Sequence, residues 1–113
     1  GKQAVIAVCG PEGNPIAVHV MDGAFLVSFD VAMKKAYTSV AVRMSTMELS
    51  GLAQPGQTFY GLGKMSDNIV IFGGGVPLKV GDTIIGGLGI SGGTGEEDHS
   101  LAEYGLSILN EVL

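Results

Sequence analysis

The chain has no tryptophan, one cysteine and few charges. A lone Cys9 cannot close a disulfide within the chain, so nothing in the composition requires an oxidising compartment, and a cytoplasmic location is expected. Neither His19 nor His99 stands at a zinc-ligand spacing from Cys9, and structural zinc is not expected. Charged residues are 15% of the 113, six Lys and Arg against eleven Asp and Glu. The resulting net charge of −5 opposes phosphate backbones and anionic headgroups, so nucleic acid and membrane surfaces are poor partners. The apolar run Ala4–Val8 is five residues long, against the roughly 20 that cross a bilayer. Gly1-Lys2-Gln3 leads straight into a strand pattern without the regions of a signal peptide, so any processed leader is expected to be gone already. No serine sits in a nucleophile elbow, and no Ser, His and Asp share a readable spacing.

What is abundant is glycine, 19 residues or about 17%, where an average chain has roughly 7%. Hydrophobic residues reach 46%, enough for a core, and the length fits one domain spanning 1–113. Residues 4–9 form a β-branched run that ends in Gly10-Pro11-Glu12-Gly13-Asn14-Pro15, after which apolar residues resume, so a hairpin is expected. Alternation in its second strand puts Ile16, Val18 and Val20 on one face and Ala17, His19 and Met21 on the other. From about Ser28 to Arg43, Val31, Ala32, Lys35, Ala36, Ser39 and Val40 recur at helical spacing. Ser45-Thr46-Met47-Glu48 fits a capping box and predicts a short helix over 46–53. Gln54-Pro55-Gly56 stops it, and 57–67 reads as loop. Ile69–Phe72, Val76–Val80 and Thr83–Ser91 are expected to form a three-stranded meander. Thr94-Gly95-Glu96-Glu97 opens a last helix with its apolar stripe at Leu101, Ala102, Gly105, Leu106, Ile108, Leu109 and Val112. Grouped strands joined by tight turns argue for an antiparallel α+β sheet in the order β-β-α-α-β-β-β-α.

Candidate chemistry is sparse. Gly73-Gly74-Gly75-Val76-Pro77 joins two strands and lacks P-loop spacing, so it reads first as a close backbone approach, and second as a ligand or subunit contact. Ser91-Gly92-Gly93-Thr94-Gly95 leads into a helix N-terminus, a natural anion site, but Glu96, Glu97 and Asp98 already compensate that dipole and cannot converge on a metal. Cys9 reads as a small buried hydrophobe. His99, in the first turn of the last helix, is expected to face solvent. His19 shares its strand face with Met21, and imidazole and thioether are both ligands of haem iron. A lone strand histidine is more commonly a surface or interface group.

Met21-Asp22-Gly23-Ala24, followed by Ser28, Ala32, Lys35-Ala36 and Thr38, resembles the GlcG/HbpS family, which includes the PduO C-terminal domain. The similarity continues through Gly73-Gly74-Gly75-Val76-Pro77-Leu78, Gly81, Gly86, Gly89, Ser91-Gly92-Gly93, Asp98 and Ala102, in order and in register over nearly the whole chain. The resemblance implies a profilin-like α/β/α sandwich with a five-stranded antiparallel sheet, homo-oligomers and, in several members, haem. PduO-type relatives stand beside cobalamin adenosylation and propanediol use, sometimes within a bacterial microcompartment, and GlcG relatives beside glycolate metabolism. Members usually open with a helix before the first strand, whereas this sequence starts almost at that strand; with that helix missing or truncated, one sheet face is expected to need a partner subunit as its cover. Val20 stands where the family often carries arginine, so no role of that arginine carries over.

The expectation is therefore an oligomeric haem- or tetrapyrrole-binding accessory or sensing protein. His19 is the preferred axial ligand and Met21 the second. Asp22, Gly74, Gly75, Gly92 and Gly93 line the site or its interface, and the first-helix cations Lys34, Lys35 and Arg43 are the only ones near enough for propionates. Two other functions compete with it. One is a cofactor-free scaffold in a diol or ethanolamine pathway. The other is an enzyme on a small hydroxy acid or corrinoid using Asp22, Lys35 and Thr38, against which Asp22 reads as a turn cap and Lys35 as a helix-surface side chain.

Overall fold

The computed structural model describes residues 3–112. Two strands come first, β1 (Val5–Cys9) and β2 (Pro15–Val20), joined by the Gly10–Asn14 turn, which Gly10 closes by donating its N–H to the Asn14 carbonyl at 2.8 Å. Helices α1 (Leu26–Val42) and α2 (Thr46–Leu52) follow, then a single 3-10 turn at Leu62–Lys64. The chain ends with the hairpin of β3 (Gly75–Val80) and β4 (Thr83–Ser91) and with helix α3 (Gly95–Val112). The sheet is antiparallel in the order β2-β1-β4-β3.

The mixed α+β class and the antiparallel sheet are as expected, but among the described residues the sheet has four strands rather than five. Ile69–Phe72 is the missing one. Its backbone is held by a side chain: Thr38 Oγ1 accepts from Val70 N–H at 3.0 Å and donates to the Asn68 carbonyl at 3.0 Å. The Val70 N–H, which a ladder would need, is thereby occupied, and the segment runs beside α1 as irregular chain. The element order is accordingly β-β-α-α-β-β-α, and the expected meander is a β3–β4 hairpin whose β4 pairs onward with β1.

The two helical layers lie on opposite faces. Alternation along β4 turns Gly87 and Gly89 toward α1 and Leu88 and Ile90 toward α3. The approach of α1 is close enough that a Cβ on Gly89 would strike the Ala32 carbonyl and lie 2.6 Å from the Ala36 nitrogen. This explains the small residues Ala32, Ala36 and Ser39 on the buried stripe of α1. On the α1 side the core is Val5, Ala7 and Ala32; on the α3 side it is Ala4, Val76, Leu88, Ile90 and Ala102. Helix α3 covers β3 and β4 and leaves the β1–β2 half of its face open. Both predicted caps form: Ser45 Oγ accepts from Glu48 N–H at 3.1 Å, and Thr94 and Glu97 bond reciprocally at 3.1 and 2.9 Å.

Candidate functional site

The β1–β2 register pairs Ile6 with His19 and Val8 with Ala17, while Ala7 pairs with Val18. Val18 packs against the Val5–Ala7–Ala32 cluster on the α1 side, so His19 and Ala17 point to the other face, onto the half of the sheet that α3 leaves open. His19 is solvent-exposed there. Beside it a cleft of about 340 Å³ runs between α3 and the sheet, lined by Ala4, Ile6, Met21, Leu88, Leu101 and Tyr104 among others. Nearly all of its lining is apolar. Met21 stands at its edge with its thioether engaged, since Sδ accepts the Ala4 N–H at 3.4 Å while Met21 N–H donates to the Ala4 carbonyl at 3.1 Å. Asp22 follows, exposed in the turn after β2.

A second, more polar cleft of about 550 Å³ lies where α1, the Gly73 loop and the start of α3 meet. Lys35, 2% exposed, forms part of its wall, and its Nζ donates to the Ile90 carbonyl at 2.9 Å and to Asp98 Oδ2 at 3.0 Å. Asp98 Oδ1 accepts the Gly93 N–H at 2.9 Å. Burial pushes the Lys35 ammonium below its ordinary range, and the bond to Asp98 opposes that shift. Lys35 thus does not lie along the helix surface as expected; it is an interior ion pair that ties α1 to β4 and α3.

The remaining sequence candidates divide between these two places. Gly74 and Gly75 are buried, with the space for a side chain already filled: a Cβ on Gly74 would lie 2.9 Å from Lys35 Nζ, and one on Gly75 2.8 Å from Thr46 Cγ2. Gly75 N–H donates to Thr46 Oγ1 at 2.9 Å. The glycine run is therefore a close backbone approach over the ion pair. Gly92 follows β4 and touches Ala4, at the end of the apolar cleft, while Gly93 belongs to the polar one. Thr38 is spent on Lys34, Asn68 and Val70, and Lys35 on Asp98, so Asp22, Lys35 and Thr38 do not act as one cluster. Lys34 pairs with Asp30 at 3.1 Å. His99 is half-buried rather than solvent-facing, with Nε2 3.5 Å from Glu103 Oε1 and Nδ1 buried without a partner. Cys9 is buried as expected, and burial raises its thiol pKa, which keeps it inert.

Sequence reasoning missed Ile6 and Tyr104 as walls of the apolar cleft and Asp98 as the partner of Lys35. A signal for the last pair was present, because Lys35 falls in the stripe of Ala32, Ala36 and Ser39. Among the described residues no three or more His, Cys, Asp or Glu side chains could cage a metal ion. A haem, whose porphyrin supplies four of the iron's ligands, needs only an axial donor and an apolar bed.

The family described as "Haem degrading protein HbpS-like" matches residues 1–107. An uncharacterised 15.0 kDa protein from the dhaT-dhaS intergenic region of Citrobacter freundii is 41% identical over 109 residues, 96% of this chain and 77% of the relative. The corrinoid adenosyltransferase PduO of the same organism is 41% identical over 94% of this chain, which spans only 32% of that enzyme. A crystal structure described as a PduOC:heme complex superposes with a TM-score of 0.88 at 40% identity, over 92% of this chain and 76% of that one. No helix among the described residues is long and apolar enough to cross a membrane.

Proposed function

This chain belongs to the HbpS-like family, and from that membership and the open sheet face we propose that it is a haem-binding or haem-sensing accessory protein with His19 as axial ligand. The observation that carries the proposal is the exposed His19 imidazole on the uncovered half of the sheet, on the same face as Ile6 and beside an apolar cleft. An imidazole donor next to an apolar bed is what a haem requires, so the donor set fits. Met21 is the weaker donor, because its sulfur already accepts the Ala4 amide. Bound haem would supply a redox-active iron; the chain itself supplies the ligand, the apolar seat and, at Gly92 beside Ala4, bare backbone at one end of it, while Gly93 stands in the other cleft against Asp98. Gly74 and Gly75 support the site only from behind, through Lys35 and Ile90, and Asp22 borders it in the turn after Met21.

The propionates belong in solvent. The three expected cations are on α1, across the sheet from His19; Lys35 and Lys34 are paired, and Arg43 lies at the far end of the helix. A shallow site of this kind suits an accessory role, which the reading extends to a cytoplasmic homo-oligomer working near corrinoid metabolism, supported by similarity to PduO. Haemin titration tests the proposal. A saturable, sharpened Soret band is expected for the native chain, lost in His19→Ala and kept in Met21→Leu and in His99→Ala. The same broad, unsaturable spectrum from the native chain and His19→Ala would instead favour a cofactor-free scaffold.

A further inference from the structure

The more polar cleft holds a hydroxyl that nothing in the fold uses. Alternation along β4 turns Ser91 to the same side as Gly87 and Gly89, toward α1, where it borders this cleft with Val31 and Lys35. Ser91 is 8% exposed, and its hydroxyl makes no hydrogen bond with any described residue. The one sealed side-chain polar atom without a partner among the described residues is His99 Nδ1, so Ser91 Oγ is not sealed, and the space it opens onto is the cleft. A hydroxyl withdrawn from water without a partner costs free energy, which an acceptor entering the cleft would recover.

The other unused groups around this cleft are donors. Thr94 caps α3: its Oγ1 accepts from Glu97 N–H at 3.1 Å and its carbonyl from Asp98 N–H at 2.9 Å, which leaves the Gly95 and Glu96 N–H groups of the first turn without an acceptor inside the helix. Three carboxylates stand nearby, and two are spent. Glu97 is folded back onto the Thr94 N–H at 2.9 Å. Asp98 is held by Lys35 Nζ at 3.0 Å and by Gly93 N–H at 2.9 Å, so its charge is balanced. Glu96, exposed at the rim, forms no ion pair among the described residues. Much of the remaining wall is apolar, with Val31 from α1, Met47 from α2, and Phe72, 63% exposed.

We propose that this cleft binds a small organic monocarboxylate with a short aliphatic tail, the carboxylate accepting from the Ser91 hydroxyl and the first-turn amides of α3, and the tail lying on Met47 and Phe72. Unpaired amides at a helix start favour an anion in general; the buried, unpartnered Ser91 hydroxyl is what singles out this one. Glu96 selects the charge of the ligand, since a phosphate dianion meets twice the repulsion that a single carboxylate does. A cleft of about 550 Å³ leaves room for a tail of several carbons. The inference uses neither His19 nor haem, so it stands or fails apart from the haem site.

Titration of the isotope-labelled full chain with sodium hexanoate, read by amide chemical shifts, tests it. Saturable shifts are expected at Ser91, Gly93, Thr94, Gly95 and Glu96. Affinity should rise roughly two- to fourfold per added methylene from butyrate to hexanoate, and hexanol, which keeps the tail without the charge, should not saturate these amides. Ser91→Ala should weaken hexanoate about tenfold while thermal stability holds or rises, because the lost hydroxyl has no partner in the folded chain; a merely structural serine would lower stability. Glu96→Gln, at an exposed position, should tighten binding about two- to fivefold. Amides that never saturate, equal affinity in the native chain and Ser91→Ala, or an affinity that Glu96→Gln leaves unchanged or lowers would each overturn the proposal. So would tighter binding of inorganic phosphate or of hexanol than of hexanoate.

Discussion

Lys35 carries its charge into the interior because the Ile90 carbonyl and the Asp98 carboxylate meet it there at 2.9 and 3.0 Å. Removing one partner strands the other. Lys35→Met should therefore cost about 3–5 kcal/mol in urea denaturation, while Lys35→Met with Asp98→Leu should cost clearly less, since no buried charge is left alone. The pair also sets a pH dependence. Folded Lys35 gives up its proton below the ordinary lysine value of 10.5, which the unfolded chain retains. Between the two values the unfolded state holds more protons, so stability should rise with pH over that interval. The double variant should lack that rise. Periodicity placed Lys35 on the inward stripe, but an ion pair spanning 63 residues cannot be read from local spacing.

Elements here are joined by absent side chains as much as by present ones. Gly89→Ala would drive a methyl group into the Ala32 carbonyl, backbone against backbone, and should destabilise by about 1–3 kcal/mol. Gly51, in α2, has nothing within 4 Å of a built Cβ; Gly51→Ala should stabilise by roughly 0.5–1 kcal/mol through helix propensity alone. Thermal melts of the two variants would move in opposite directions. The full capping box at Thr94 and Glu97, the Ser45 cap without the return bond from Glu48, the first hairpin and all three α-helices were legible because each rests on residues close in sequence. Ile69–Phe72 was misread for the complementary reason: its β-branched composition is that of a strand, and the decisive hydrogen bonds come from Thr38, some thirty residues upstream. The same distinction holds at the site. Alternation was enough to put His19 opposite the aliphatic face, whereas the cleft beside it needs α3 and β1 brought together, which no local pattern specifies.

At the scale of the molecule the two faces of the sheet are unequal. One is covered by α1 over β1, β3 and β4, against glycines and alanines; the other is half covered by α3 and half open, and the open half carries His19 and Ile6, with the apolar cleft beside them. The family description names haem and a related crystal structure is described as a haem complex; on this chain the proposal of a haem site rests on the exposed imidazole beside the apolar cleft. The most direct measurement is a crystal structure of the haemin-loaded chain with iron located by its anomalous scattering. The account predicts one iron peak at bonding distance from the His19 imidazole, over the β1–β2 half of the sheet. An ordered haem in the Lys35–Asp98 cleft, or one whose iron is held by another residue with His19 free in solvent, would contradict it.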